Sequence, residues 1–439
     1  MAGLSLRHHH ERLRGAGALR EEGEVLQVVG LVVEAKGRGG AVGDSYEILP
    51  QSGPPILAEV IGIRDDRLLL MPIDAVRGVG AGCRVRRRGG QAAVAVGEAL
   101  LGRVVDPLGR PLDGRGPPRT TDIVSLHAQP IPPLERQPIS TALSLGIRAI
   151  DGMLTLGRGQ RIGIFAGAGV GKSTLLGEMA KSAQVDATVI ALIGERGREV
   201  GDFAHRILGP EGLARSILVA ATSDRSPLEQ LRGAFAATAM AEWLREQGKS
   251  VLLVMDSLTR FAMAQRQVGL AAGEPPTSKG YTPSVFALLP RLLERVAPSQ
   301  NGGAITGLYT VLVEGDDLSD PVADAARSVL DGHIVMSRDL AAQGHHPAID
   351  ILASVSRVMN EVVSPAHRVL AQRVRGLLAT AREAQDLVNL GAYVAGSNPR
   401  IDEALAVKPA LDRFLRQQPG ERSAFLDTLA QLERALVRP

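Results

Sequence analysis

Residues 161–174, RIGIFAGAGVGKST, set an apolar run directly before a glycine loop that ends in Lys172, Ser173 and Thr174. No other feature restricts the fold as strongly. Gly167, Gly169 and Gly171, with only Ala168 and Val170 between them, let successive backbone N–H groups converge on phosphate oxygens. A helix beginning near Lys172 turns its positive end to the same point. Lys172 has the reach to contact β- and γ-phosphates, and Ser173 offers a hydroxyl to Mg2+. The pattern normally opens with glycine where this chain has Ala166, a change that is harmless if that position needs no positive φ. Such a loop requires a strand before it and a helix after it, which makes this part of the chain α/β.

The flanking sequence continues that alternation. Apolar runs at 185–194, 250–256, 304–315 and 331–337 predict strands, and SPLEQLRGAFAATAMAEWLREQG at 226–248 predicts a helix. Strands separated by helical patterns imply a mainly parallel sheet covered on both faces. Upstream, VLQVVGLVVEA at 25–35, ILAEVIGI at 56–63 and RLLLMPI at 67–73 are short and punctuated by glycine, as in a small β-barrel. RVRRRGG, residues 84–90, is expected as a basic turn. Pro/Gly-rich stretches at 107–118 and 129–138 mark a junction. The last eighty or so residues carry helical patterns, including 365–391. The expected organisation is a leader at 1–22, a barrel at 23–100, a linker and start of the core at 101–145, a nucleotide-binding domain at 146–362 and a helical C-terminal domain at 363–439.

Composition excludes several function classes. The 50 basic and 47 acidic side chains nearly cancel, and the 12 aromatic residues are mostly isolated, so neither a basic tract nor a stacking ladder for nucleic acid is present. Cys83 is the sole cysteine, which rules out an intrachain disulfide or a multi-cysteine metal site. The leader carries Arg7, His8, His9, His10, Glu11 and Arg12 where a secretory signal needs an apolar run. A cytoplasmic location is expected.

Candidate catalytic groups cluster at the ends of predicted strands. Asp256 closes VLLVMD and can hold the water shell of Mg2+. Glu195, in GERGREV, follows another strand and is placed to polarise the attacking water. Arg196 and Glu199 either orient that acid or join neighbouring subunits. Arg260 either approaches a phosphate or binds a neighbouring carboxylate. Arg357 ends an apolar run and suits either γ-phosphate stabilisation across a subunit interface or a structural ion pair.

VVDPLGRPLDG, GRGQRIGIFAGAGVGKS, ALIGERGREV, VLLVMDSLTRFAMAQR, GEPPTSKGYTPSVFALLPRLLER, YTVLVEGDDLSDP and HHPAIDILASVSRV occur in that order. Together they resemble the type III protein-export ATPases of flagella and injectisomes, relatives of rotary ATP-synthase catalytic subunits. The resemblance covers nearly the whole chain from residue 24. It implies a RecA-like core, ATP and Mg2+ as cofactors, and ATP hydrolysis energising protein export. It makes Glu195 the catalytic acid, Arg196 its neighbouring active-site arginine, Arg260 a phosphate-proximal arginine and Arg357 the arginine supplied by the next subunit of a homo-hexamer. Implied partners are a stator protein at the leader, a central coiled-coil stalk, export chaperones with their protein clients, and the export gate at the inner membrane. His346 stands where the family often has a tyrosine, making it either an adenine-stacking residue or a turn histidine, and Tyr393 is a candidate second wall. Lys279 and Tyr281 are candidates for the stalk contact. The competing readings are a rotary ATP synthase subunit and a non-catalytic nucleotide-binding docking ring.

Overall fold

A computed structural model describes residues 22–37, 39–88, 92–313 and 319–437. His8–His10 and the expected stator contact lie outside these residues. The chain forms two compact units. The first runs to Ala92, with Ser226–Glu229 and Gln267–Glu274 added; the second comprises the remainder.

Six strands of the first unit, β1 (Glu22–Val29), β2 (Val32–Lys36), β3 (Ser45–Leu49), β4 (Ile56–Arg64), β5 (Arg67–Pro72) and β6 (Arg84–Arg87), close into a barrel. Their order around it is β1-β2-β5-β4-β3-β6. Side chains alternate across each strand, so Val33, Ala35, Tyr46, Ile48, Leu68, Leu70 and Val85 fill the interior. The run at 25–35 is a hairpin, not one strand, with Val29 opposite Val32 across a turn at Gly30. The expected basic turn at 84–90 instead supplies β6, because Val85 alternates inward between arginines that face outward toward Glu22. The barrel ends sooner than expected: β7 (Ala93–Val96) pairs with β9 (Asp122–Ser125) in the second unit.

An eight-stranded sheet organises the second unit. It contains β8 (Arg103–Val105), β12 (Arg161–Ala166), β13 (Ala187–Ile193), β14 (Ser216–Ala221), β15 (Ser250–Asp256), β16 (Ala304–Leu312), β17 (Gly332–Met336) and β18 (Ile349–Ser356). A minor pair, β10 (Ala142–Leu143) and β11 (Leu156–Gly157), precedes β12. The sheet order is β18-β17-β12-β16-β15-β13-β14-β8, and only the β17–β18 pairing is antiparallel. Every residue of β13 and β15 is buried, as strands covered on both faces require, which is why each is a mostly apolar run.

Three helices close the chain: Pro365–Asn389, Pro399–Leu415 and Phe425–Ala435. Ser364 and Asn398 cap the first two through backbone N–H groups, each with proline in the first turn. Phe414 and Leu432 pack over Gly152 in the short helix Arg148–Met153, joining these helices to the core of the sheet. Among the described residues no helix is long and apolar enough to cross a membrane.

Candidate active site

Parallel pairing carries the C-terminal ends of β12, β16, β15 and β13 to one edge of the sheet, where ligands of open α/β folds bind. The glycine loop leaves β12 there and enters the helix Lys172–Ser182. Gly169 and Gly171 take φ of 81° and 87°, values a side chain would resist. Ala166 is the buried last residue of β12 and has no positive φ, so its methyl group is accommodated. A Cβ on Gly167 would lie 2.5 Å from Arg338 Nε, so that guanidinium would have to shift to admit a side chain there.

Asp256 ends β15, opposite Leu192 of β13, and Glu195 follows β13 by two residues. Lys172 Nζ donates to Asp256 Oδ1 at 2.5 Å and lies 3.9 Å from Glu195 Oε1. Thr310, from β16 between the loop strand and β15, donates to the same Asp256 oxygen at 2.7 Å. Ser173, Glu195, Glu199, Asp202, Arg206 and Asp256 line a 170 Å³ cavity at this point. Burial pushes the Glu195 carboxyl up to about 7, the charge of Asp256 and a hydrogen bond with Glu199 add to the rise, and the Lys172 ammonium opposes it. Glu195 is therefore a far better proton acceptor than an exposed glutamate.

On the other side of the loop, a 350 Å³ cavity is lined by Gly171, Thr174, Glu178, His346, Gln417 and Pro419, among others. His346 Nδ1 lies 3.9 Å from where a Cβ on Gly171 would stand. The histidine therefore borders the loop. Tyr393 does not line this cavity. Its hydroxyl donates to Asp402 Oδ1 at 2.8 Å and to Asn398 O at 3.1 Å, which ties it to the start of the helix Pro399–Leu415. The second wall comes from the turn Gln417–Pro419, whose Gln417 N–H donates to His346 O at 2.8 Å. Its only sequence signal is the Pro-Gly pair after an apolar helical stretch. Thr310 gave less, being one hydroxyl in the buried strand AITGLYTVL.

The candidate arginines are dispersed. Arg196 is exposed, with Nε 3.9 Å from Glu199. Arg260 is exposed on the helix Leu258–Ala272 and packs its stem against Gly194. Arg357 follows β18, whose antiparallel course sets Ser356 opposite Gly332 at the start of β17. That is the far end of the strands from the loop, and the Arg357 side chain is exposed there, with Nη2 3.4 Å from Arg327 O. Arg357 cannot serve the phosphate loop of its own chain. In the segment 273–286, Tyr281 is buried beneath Arg266, whereas Lys279 is exposed at a φ of 49°.

Residues 25–89 match the β-barrel domain of the ATP synthase alpha/beta family, and 146–356 match that family's nucleotide-binding domain. Residues 363–434 match the T3SS EscN ATPase C-terminal domain. The flagellum-specific ATP synthase of Bacillus subtilis is 49% identical over 412 residues, covering 93% of this chain and 94% of the relative. The chain belongs to the type III secretion and flagellar export ATPase family. As a member it is an ATP-hydrolysing enzyme, and membership implies binding of nucleotide together with Mg2+. The type 3 secretion system ATPase of Xanthomonas euvesicatoria is also 49% identical, over 414 residues, 94% of this chain and 93% of the relative. A solved structure of the assembled ATPase EscN in complex with its central stalk EscO, from enteropathogenic E. coli, superposes with a TM-score of 0.88. It is 44% identical and covers 94% of this chain and 100% of the EscN chain.

Proposed function

We propose that this ATPase energises protein export through a flagellar or injectisome type III apparatus, working in the cytoplasm as a ring of six copies that share each active site between neighbours. The observation that carries this reading is the split in the site. Lys172, Asp256 and Glu195 converge beside Ser173, while Arg357 stands exposed at the opposite end of the strands. A second copy bringing its Arg357 to the loop completes the charge stabilisation that one chain lacks.

In that arrangement the loop amides and Lys172 hold the β- and γ-phosphates, and the 350 Å³ cavity takes the base, with His346 against its face. Glu195 orients the attacking water and accepts its proton. Asp256 and the Ser173 hydroxyl are hard oxygen donors on one cavity, which suits Mg2+. Bound there, Mg2+ would offset charge on the transferring phosphoryl group. Lys172 keeps the Asp256 carboxylate paired until nucleotide draws the ammonium away.

The EscN–EscO complex supports a central stalk partner, and Lys279, unlike Tyr281, is exposed for that contact. The leader would engage a stator, and chaperones with their clients would meet the ring at the export gate on the inner membrane. The test is ATP turnover against protein concentration for wild type, Glu195→Gln and Arg357→Ala, paired with nucleotide binding. Binding should persist in both variants while turnover falls by about 10²–10⁴ in Glu195→Gln and by about 10³ or more in Arg357→Ala. Normal turnover in either removes that residue from the mechanism.

A further inference from the structure

At the edge of the sheet away from the phosphate loop lies a 770 Å³ cavity, lined by Arg158, Lys181, Arg215, Ser250 and Arg422, with Asp186 as one acidic group. It is formed where β13, β14 and β15 begin and where the helix Lys172–Ser182 ends. The basic side chains there are poorly matched. Lys181 pairs with Glu178 at 2.6 Å, but Arg158, Arg215 and Arg422 form no ion pair with a carboxylate among the described residues, Asp186 acting on Arg215 only at longer range. Arg215 spends Nη2 on the carbonyls of Ala183 and Val185, at 2.8 and 3.0 Å, and Arg158 spends Nη2 on Gly302 O at 2.8 Å. The Nε atoms of both are buried without an acceptor. Ser250 is 7% exposed, and its Oγ is likewise without a partner. The Asp186 carboxylate is engaged, accepting the Ser250 N–H at 2.7 Å. Burial, and then the nearby Arg422, make the Arg215 guanidinium less basic than usual, and the Asp186 carboxylate opposes them.

Three guanidinium side chains with no carboxylate bound to them line one polar cavity beside a single acidic group, and such a cluster is matched by a ligand rich in acceptor oxygens and negative charge. Guanidinium forks suit phosphate oxygens in particular. We propose that this cavity is a second phosphate site, separate from the nucleotide loop, which binds inorganic phosphate or the phosphate group of a small molecule through Arg158, Arg215 and Arg422. Arg422 belongs to the C-terminal segment and Arg158 and Arg215 to the core, so an anion held between them ties the two together at the far end of the helix that begins at the phosphate loop.

The test uses the full chain with the nucleotide loop saturated by Mg2+ and a non-hydrolysable ATP analogue. Inorganic phosphate and glucose 6-phosphate are titrated separately at constant ionic strength by calorimetry. Wild type should show saturable binding of at least one probe, and binding of inorganic phosphate alone identifies the free anion as the ligand. Arg422→Glu should weaken that binding at least tenfold with an unchanged melting temperature, because Arg422 is exposed and, among the described residues, makes no ion pair or side-chain hydrogen bond. If Arg422→Glu lowers the melting temperature, Arg158→Gln replaces it, with the same tenfold loss expected. No saturable binding in wild type, or equal binding in wild type and a folded variant, overturns the proposal.

Discussion

Thr310→Val removes one hydroxyl from a position with no solvent exposure and leaves the side-chain volume almost unchanged. The lost contact is the 2.7 Å hydrogen bond to Asp256 Oδ1. Hydrogen bonds to charged groups contribute about 1.5–3 kcal/mol. Because Lys172 Nζ still donates to the same oxygen at 2.5 Å, the lower end applies. About 1.5 kcal/mol corresponds to roughly tenfold in an equilibrium constant. That loss should fall on the step that needs Asp256 held in one rotamer, the Mg2+-dependent gain in nucleotide affinity. The assay is equilibrium binding of a non-hydrolysable ATP analogue with and without Mg2+. Thr310→Val should bind the Mg2+-free analogue like wild type and lose about tenfold of the gain, and Thr310→Ser should recover it. A full Mg2+-dependent gain in Thr310→Val, or failure of Thr310→Ser to recover it, would refute the claim that this hydroxyl orients Asp256.

His346→Ala should weaken ATP and ADP binding alike by roughly fivefold, since aromatic stacking contributes about 1 kcal/mol; unchanged affinity by calorimetry would assign the histidine to the turn alone. Gly177→Ala places a methyl 1.9 Å from Ile207 Cγ2, between the phosphate-loop helix and the π-helical turn Phe203–Leu208. It should destabilise the fold by about 1–3 kcal/mol despite alanine's better helix propensity, with partial recovery when combined with Ile207→Ala; urea unfolding measures both. Asp113 is held well below the usual carboxylate range, first by Arg103 at 2.7 Å and then by hydrogen bonds from the Arg115 backbone and side chain and the Val104 backbone. A depressed folded pKa means its stabilisation is present above the ordinary value near 4 and fades as pH falls below it. The stability deficit of Asp113→Asn should accordingly be largest near pH 6 and shrink toward pH 3.

The strands that carry the site were legible because each is a buried parallel strand and so a mostly apolar run. The run at 250–256 coincides with β15, and the glycine loop announced its own strand and helix. Ser216–Ala221, the strand β14, escaped because SILVAA is short and has neither glycine nor proline at its borders. The hairpin at 25–35 was hidden because a single glycine in an apolar stretch marks a bulge as readily as a turn. In the candidate site, Lys172 and Ser173 were readable from the glycine loop, and Glu195 and Asp256 from their positions at strand ends. Thr310 and the Gln417–Pro419 turn were not, since their roles depend on which strand neighbours β15 and on where the last helices fold back. Tyr393 shows the converse, an aromatic side chain in a glycine-bounded segment that is committed to Asp402.

If neighbouring copies share the site as proposed, the placement of Arg357 gives damage in this protein an unusual arithmetic. A chain carrying Glu195→Gln keeps a sound arginine, and a chain carrying Arg357→Ala keeps a sound acid. Mixed, some adjacent pairs would confine both faults to faces that do not meet, and those junctions would work although neither parent chain does. Company repairs what no compensating mutation within one chain can.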